Sequence, residues 1–438
     1  MTPELATIIL FGCLLLFLAL GLPLAFTLGG VGILGILLLW GPGGLMIAAS
    51  KLYESMGKFT LIAVPLFIFM AMLLERAGVA DDMYTMMHRW MGGLRGGLAM
   101  GTVGICTVFA AMSGISGAAT SSMGVIALPE MLKRKYSKSI AIGCIAAGGA
   151  LGILIPPSVI MILYGVYTGE SIGAMFMGGV FPGLLLSALF IVYIAIRCWL
   201  QKELGPALPP EERVGWREKF LSLRAVALPL LIVVMVLGSI YLGVCTPSEA
   251  AAMGVLGAII SAAVYRRLSW NLMKEACYRT AGLSGMIIWI LAGAYCFTAL
   301  YTATGISNLL HDILLSIPGG RYVTLIVMQL TFFILGCFLD PVGIIMITTP
   351  VFVPVIQELG FSTLWFAILF VVNMEMAYLT PPFGFNLFYM RAVAPPGTTM
   401  AEIYRSIAPF VLLQAVGLAL VIIFPQIATW LPQQMAFK

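Results

Sequence analysis

Apolar runs of about 20 residues recur from one end of the chain to the other, the length an α-helix needs to cross a hydrocarbon core. They predict membrane helices at 5–22, 24–41, 60–78, 225–244, 248–265, 280–304 and 408–431. Longer runs at 138–168, 171–200 and 361–391 predict further crossings. Two stretches, 96–132 and 320–357, are long enough to cross twice, but each is interrupted. The first breaks at Ser113-Gly114-Ile115-Ser116-Gly117 and the second at Asp340-Pro341-Val342-Gly343. Both read as re-entrant hairpins that enter the membrane and return to the side they left. Amphipathic segments lie between the runs at 44–58, 80–94, 268–279 and 305–317. One connection is long and charged, 202–224, and it divides the chain nearly in half.

The halves repeat. Pro129, Pro156, Pro157 and Tyr164 recur as Pro354, Pro381, Pro382 and Tyr389, each 225 positions later. Four coincidences at one offset mark an internal duplication. The predicted domains are a first repeat at 1–201, a linker at 202–224 and a second repeat at 225–438. If each hairpin returns to its own side, five crossings separate the two hairpins. An odd number turns the second repeat upside down relative to the first.

Composition narrows the class. Charged residues make up 9% of the chain and mean hydropathy is +1.07, too few charges to clothe a soluble fold of this size. Continuous apolar runs, rather than short alternating ones, exclude a porin-like barrel. The net charge of +5 includes no basic cluster interleaved with aromatics, so nucleic acid is not an expected partner. Basic residues instead orient the chain, because they favour the cytoplasmic side. With Arg89, Arg95 and Lys133–Lys135 inside, only Lys51, Lys58, Arg321 and Lys438 fall outside, leaving 19 of 23 in the cytoplasm. Both termini then lie on the outer face. The first apolar run carries Glu4 and no basic residue before it, so it reads as a retained helix rather than a secretory signal.

The eight cysteines are scattered and form no C-x-x-C, which argues for small apolar residues and against disulfides or a metal site. The two histidines, His88 and His311, have no ligand spacing, and no Walker A motif is present. Gly30-Val31-Gly32-Ile33-Leu34-Gly35 matches a dinucleotide fingerprint in letters only, since it lies inside an apolar helix. Met83, Met86, Met87 and Met91 form an interfacial apolar stripe or a contact surface for another subunit.

Chemistry concentrates at the breaks. Broken helices in inverted repeats are the signature of secondary transporters, because irregular backbone survives at membrane depth only where it lines a cavity or is buried in protein. Prolines free carbonyls that can bind cations. The break Leu154-Ile155-Pro156-Pro157-Ser158 is expected to face the first hairpin tip, Ser113–Thr120. Leu379-Thr380-Pro381-Pro382 is expected to face the Asp340 tip of the second. Only Asp340 and Glu375 are acids deep in apolar sequence, and an intramembrane acid is a functional candidate by default. Asp340 suits a cation ligand. Glu375 reads either as a group that supports the site's ligands from behind or as a structural acid, protonated or hydrogen-bonded to free backbone near Leu379–Pro382. No Lys or Arg lies at that depth, so an anionic substrate would be held by helix N-termini, by hydroxyls such as Thr120 and Ser158, and by Asn386.

Ser113-Gly-Ile-Ser-Gly-Ala-Ala-Thr120, Leu128-Pro-Glu-Met131 and Gly149-Ala-Leu-Gly-Ile-Leu-Ile-Pro-Pro-Ser158 resemble the large membrane subunit of tripartite ATP-independent periplasmic (TRAP) transporters. Phe338-Leu-Asp-Pro341 and Thr380-Pro-Pro-Phe-Gly-Phe-Asn386 look like the counterparts in that family's second half. The likeness spans essentially the whole chain. It implies an all-α polytopic protein of the bacterial inner membrane, built from inverted repeats and moving as an elevator. The function implied is sodium-driven import of a small organic anion, such as a carboxylate, with no enzymatic activity. Implied partners are a separate small membrane subunit and a periplasmic substrate-binding protein. Sodium, the transported coupling ion, would lie at Ser113, Ser116 and Pro156 in one half and at Asp340 and Thr380 in the other. A stand-alone divalent-anion/sodium symporter could share this architecture. An integral membrane enzyme would need a catalytic constellation, and the sequence offers none.

Overall fold

The computed structural model describes residues 2–435, and among them every regular element is helical. Lys438, one of the four basic residues expected outside, lies beyond the described residues. Helices α1 (Pro3–Ala19) and α2 (Leu24–Trp40) are followed by α3 (Leu45–Met56), a 3₁₀ turn at Phe59–Ile62, and α4 (Ala63–Arg76). The amphipathic α5 (Val79–Met91) leads into a hairpin of α6 (Gly97–Ser113) and α7 (Ser116–Lys133). The long run at 138–168 is two helices, α8 (Lys138–Ala150) and α9 (Val159–Thr168), separated by a 3₁₀ turn and the double proline. The half closes with the 29-residue α10 (Ile172–Leu200).

The 202–224 connection contains a short helix, α11 (Trp216–Ser222). It is no loose tether. Leu204 and Gly205 accept backbone hydrogen bonds from Ser137 and Gly96 at 2.9 and 2.8 Å, and Glu212 pairs with Arg134 at 2.6 Å. The second half runs through α12 (Arg224–Tyr241), α13 (Pro247–Val264), α14 (Trp270–Ala303) and α15 (Ile306–Leu315). Its hairpin is α16 (Arg321–Gly336) with α17 (Pro341–Glu358), and its broken helix is α18 (Thr363–Ala377) with α19 (Phe385–Val393). Helices α20 (Met400–Ile423) and α21 (Gln426–Gln433) complete it.

The helices keep the sequence offset. Adding 225 to Ser116–Lys133 gives Pro341–Glu358, so α7 and α17 coincide end for end. Lys138, first residue of α8, maps onto Thr363, first residue of α18. Each of these two residues ties its helix to the chain near α10 or α20. Lys138 pairs with Glu402 at 3.0 Å, and the Thr363 hydroxyl donates to Glu170.

Two expectations change. Segments 268–279 and 280–304 are one 34-residue helix, because no proline interrupts Trp270–Ala303 and a shift from amphipathic to apolar does not break the backbone ladder. The last crossing begins at Met400 rather than 408. Thr399 and Glu402 form a reciprocal capping box that fixes the start, and Pro425 separates it from α21.

Packing follows the membrane rule that small residues let helices approach, since apolar burial gains little against lipid. Helix α8 is the clearest case. Gly143, Ala146, Ala147, Gly148 and Gly149 are all buried, with α6, α7 and α20 packed around them. The outer frame joins α2 to α14 and α4 to both α13 and α14. The hairpins and broken helices gather with α10 and α20 into a second cluster, which meets the frame where α5 and α4 touch α6 and where α14 and α15 touch α17. Met83 and Met86 are buried on α5, and Met87 lies beside Gly101 and Gly104 of α6, so much of the methionine stripe is internal packing.

Candidate ion and substrate site

The first hairpin turns because α6 ends on Gly114, whose φ of +62° lies in the left-handed region. A Cβ there would also sit 2.4 Å from the Pro157 carbonyl oxygen, so glycine is needed twice over. That approach presses the tip onto the break of α8–α9, as expected. Ser113 and Ser116 are buried on either side of the turn, and Ser113 Oγ makes a long 3.4 Å bond to the Ile115 carbonyl. Pro156 and Pro157 carry no N–H, and the carbonyls of Leu154 through Pro157 accept no hydrogen bond among the described residues. The N-termini of α7 and α9 both begin here, bringing two positive helix ends to one place.

The second half repeats the arrangement with one acid added. Asp340 is half-buried and caps α17, its Oδ1 accepting from the Val342 N–H at 2.9 Å, with Pro341 in the first helical position. The tip is joined to the other break by the Phe383 N–H, which donates to the Cys337 carbonyl at 3.3 Å. Thr380 is half-buried and gives its proton to Met376 O at 2.9 Å, leaving oxygen lone pairs free. Again the carbonyls of Leu379 through Pro382 accept nothing among the described residues. Each hairpin tip therefore meets its own broken helix, with hydroxyl and carbonyl oxygens at both places. Such hard oxygen ligands suit a small alkali cation.

The three residues expected at the substrate lie deeper. Thr120, Ser158 and Asn386 are fully buried. Ser158 caps α9 and donates to the Ile153 carbonyl at 2.6 Å. Thr120 donates to Asn386 Oδ1 at 2.7 Å, and Asn386 Nδ2 donates to the Ala146 carbonyl at 2.7 Å. This clasp stitches α19 of the second repeat to α7 and α8 of the first. It is possible because Gly149 has no side chain: a Cβ there would lie 2.0 Å from Thr120 Oγ1. Tyr389 and Val393 of α19 lie over Gly117 and Gly124 of α7. Helix α17 likewise packs on α9, so each hairpin meets the opposite repeat as well as its own. Sequence reasoning missed this crossing. The signal was the small-residue stripe Gly117, Thr120, Gly124 along one side of α7.

Glu375 is fully buried, and its partner is the side chain of Gln414 on α20, at 3.2 Å. The free backbone near Leu379–Pro382 was the expected partner. That backbone lies in the break beyond the end of α18, whereas α20 packs alongside.

The family model described as "Tripartite ATP-independent periplasmic transporter, DctM component" matches residues 11–427. The chain is 36% identical over 413 residues to the C4-dicarboxylate TRAP transporter large permease protein DctM of Pseudomonas aeruginosa, covering 94% of this chain and 95% of that one. It is 30% identical to the isethionate TRAP transporter permease protein DctMQ of Oleidesulfovibrio alaskensis, across 96% of this chain and 65% of the relative. Its fold is similar to the YdaH transporter of Alcanivorax borkumensis, described as having an unusual topology, with a TM-score of 0.62 and 14% identity over 95% of this chain and 100% of the other. Match, length and paired broken helices agree: the chain belongs to the large membrane subunits of TRAP transporters.

Proposed function

We propose that this subunit imports a small organic anion, a carboxylate first of all, across the bacterial inner membrane by sodium symport. The observation that carries the reading is the double meeting of hairpin tip and broken helix. At each meeting, unpaired carbonyls and hydroxyls face positive helix N-termini, so a cation and an anion find complementary groups within one cluster. Asp340 supplies charge to the second cation site, with Thr380 beside it. Ser113, Ser116 and Pro156 form the first. The cluster of hairpins, broken helices, α10 and α20 would move against the frame as an elevator. Relatives named for C4-dicarboxylate and isethionate, both organic anions, support the substrate class.

A periplasmic binding protein delivers the substrate, and a separate small membrane subunit completes the complex. Proteoliposomes holding this chain and its small subunit should accumulate substrate only with both the binding protein and an inward sodium gradient. Robust uptake without the binding protein would favour a stand-alone symporter. Uptake indifferent to sodium would remove the coupling ion.

The basic-residue distribution supports periplasmic termini. Single cysteines at Gln201 and Ser269, both exposed, should react with an impermeant thiol reagent from the cytoplasm alone. Those at Ser171 and Gln357, also exposed, should react from the periplasm alone. Labelling of the loops at Ser137 and Gln357 from one side would end the inverted arrangement.

A further inference from the structure

Helices α18 and α20 pack together; besides the Trp365 indole N–H, which donates to the Val421 carbonyl at 2.9 Å, one pair of polar side chains meets between them. Gln414 Nε2 donates to Glu375 Oε1 at 3.2 Å, and both side chains are fully buried. The pair's other two oxygens, Glu375 Oε2 and Gln414 Oε1, have no partner among the described residues. A carboxylate offers only acceptors, and so does an amide oxygen. An ionised Glu375 therefore forms one hydrogen bond here and leaves two buried acceptors bare, the costly arrangement that folded interiors avoid.

Among the described residues no cation pairs with Glu375, whose partner is Gln414. The charged residues on helices packed against α18, or capping them, are Arg197, Arg321, Asp340, Glu358, Glu402 and Arg405, all at the caps or within the first or last two turns of those helices. Among phenols, Tyr378 at the end of α18 packs on Phe385, Tyr193 of α10 packs on Phe410 of α20, and Tyr164 packs on Phe370; among the described residues none hydrogen-bonds to the pair. A metal ion would need several oxygens, and the pair leaves two. A single proton satisfies both. Placed on Oε2, it turns that atom into a donor to Gln414 Oε1, and the two side chains close into a reciprocal acid–amide pair with every polar atom used.

We infer that Glu375 and Gln414 form a proton-binding site, in which Glu375 is held as the neutral acid. Helix α18 then carries no charge at that depth, and Asp340 is left as the one deep acid able to balance a cation. The inference stands whether or not sodium is the coupling ion, because its test does not use transport alone.

The experiment is infrared spectroscopy on the purified transporter complex at neutral pH, comparing wild type with Glu375→Gln, both in an Asp340→Asn background. The difference spectrum should contain the C=O stretch of a protonated carboxyl. Gln414→Leu should shift that band to the position of an acid lacking its partner, which assigns it even if the first variant folds poorly. In the native background, Glu375→Gln can remake both hydrogen bonds and should keep uptake within about twofold of wild type, whereas Glu375→Leu strands Gln414 and should lower the melting temperature. Absence of the band from both comparisons overturns the inference. So does a well-folded Glu375→Gln complex that has lost uptake, since the carboxylate charge would then be in use.

Discussion

Asp340→Asn should abolish or severely weaken uptake, and any activity that remains should need more sodium, while expression and membrane insertion survive. The side chain's place explains both halves of the expectation. Its Oδ1 caps α17 through the Val342 N–H, and asparagine caps helices about as well as aspartate. The hairpin tip therefore keeps its shape. What asparagine removes is the charge that would balance a cation between the tip and Thr380–Pro382, where the other oxygens are neutral. Thr380→Val should move sodium dependence the same way by less, since it deletes one neutral oxygen and leaves the carbonyls. Sodium-titrated uptake decides: wild-type half-saturation and rate in Asp340→Asn would place the second cation elsewhere. His88→Ala, on α5, is the control and should change little.

Asn386→Leu should be the most damaging change that touches no cation ligand. It strips the Thr120 hydroxyl of its partner and the Ala146 carbonyl of its side-chain bond, leaving that carbonyl only its bond within α8, inside a fully buried junction. An orphaned buried group costs about 1–3 kcal/mol. The complex should lose thermal stability and most of its uptake together. Thr120→Val should cost less, because Asn386 keeps its bond to Ala146. The double variant should be little worse than Asn386→Leu alone, since the second change removes a group already stranded. Simple additivity in thermal denaturation would mean that the two side chains do not act as one unit.

The parts of this structure that were legible in the sequence are locally encoded. Gly114 and the Pro156-Pro157 and Pro381-Pro382 pairs stop helices by their own backbone chemistry, so hairpins and breaks could be placed to within a few residues. The offset of 225 needed no structure at all. The true start of α20 was also local, in the capping box of Thr399 and Glu402, but the apolar run that begins near Ala408 hid it. What could not be read was partnership. Thr120 and Asn386 stand 266 positions apart, and nothing in either neighbourhood says that each is spent on the other. Ser158 offered a hydroxyl at a break, yet the structure turns it onto Ile153. Glu375 was conspicuous as an acid in apolar sequence. Its meaning depended on which of many helices lay beside it, and Gln414 is a common residue in an unremarked position.

The clasp also bears on ancestry. Shifting its members by 225 gives Ile345 for Thr120 and Met161 for Asn386, two apolar residues whose side chains have no hydrogen-bond donor and cannot remake the clasp. The bond thus joins the halves once and has no twin. A forebear of half the length, pairing with an inverted copy of itself, would have carried identical residues in both copies and made the junction twice or not at all. The asymmetry, whether one clasp was gained or its twin was lost, therefore belongs to the time after duplication, when each half could change alone.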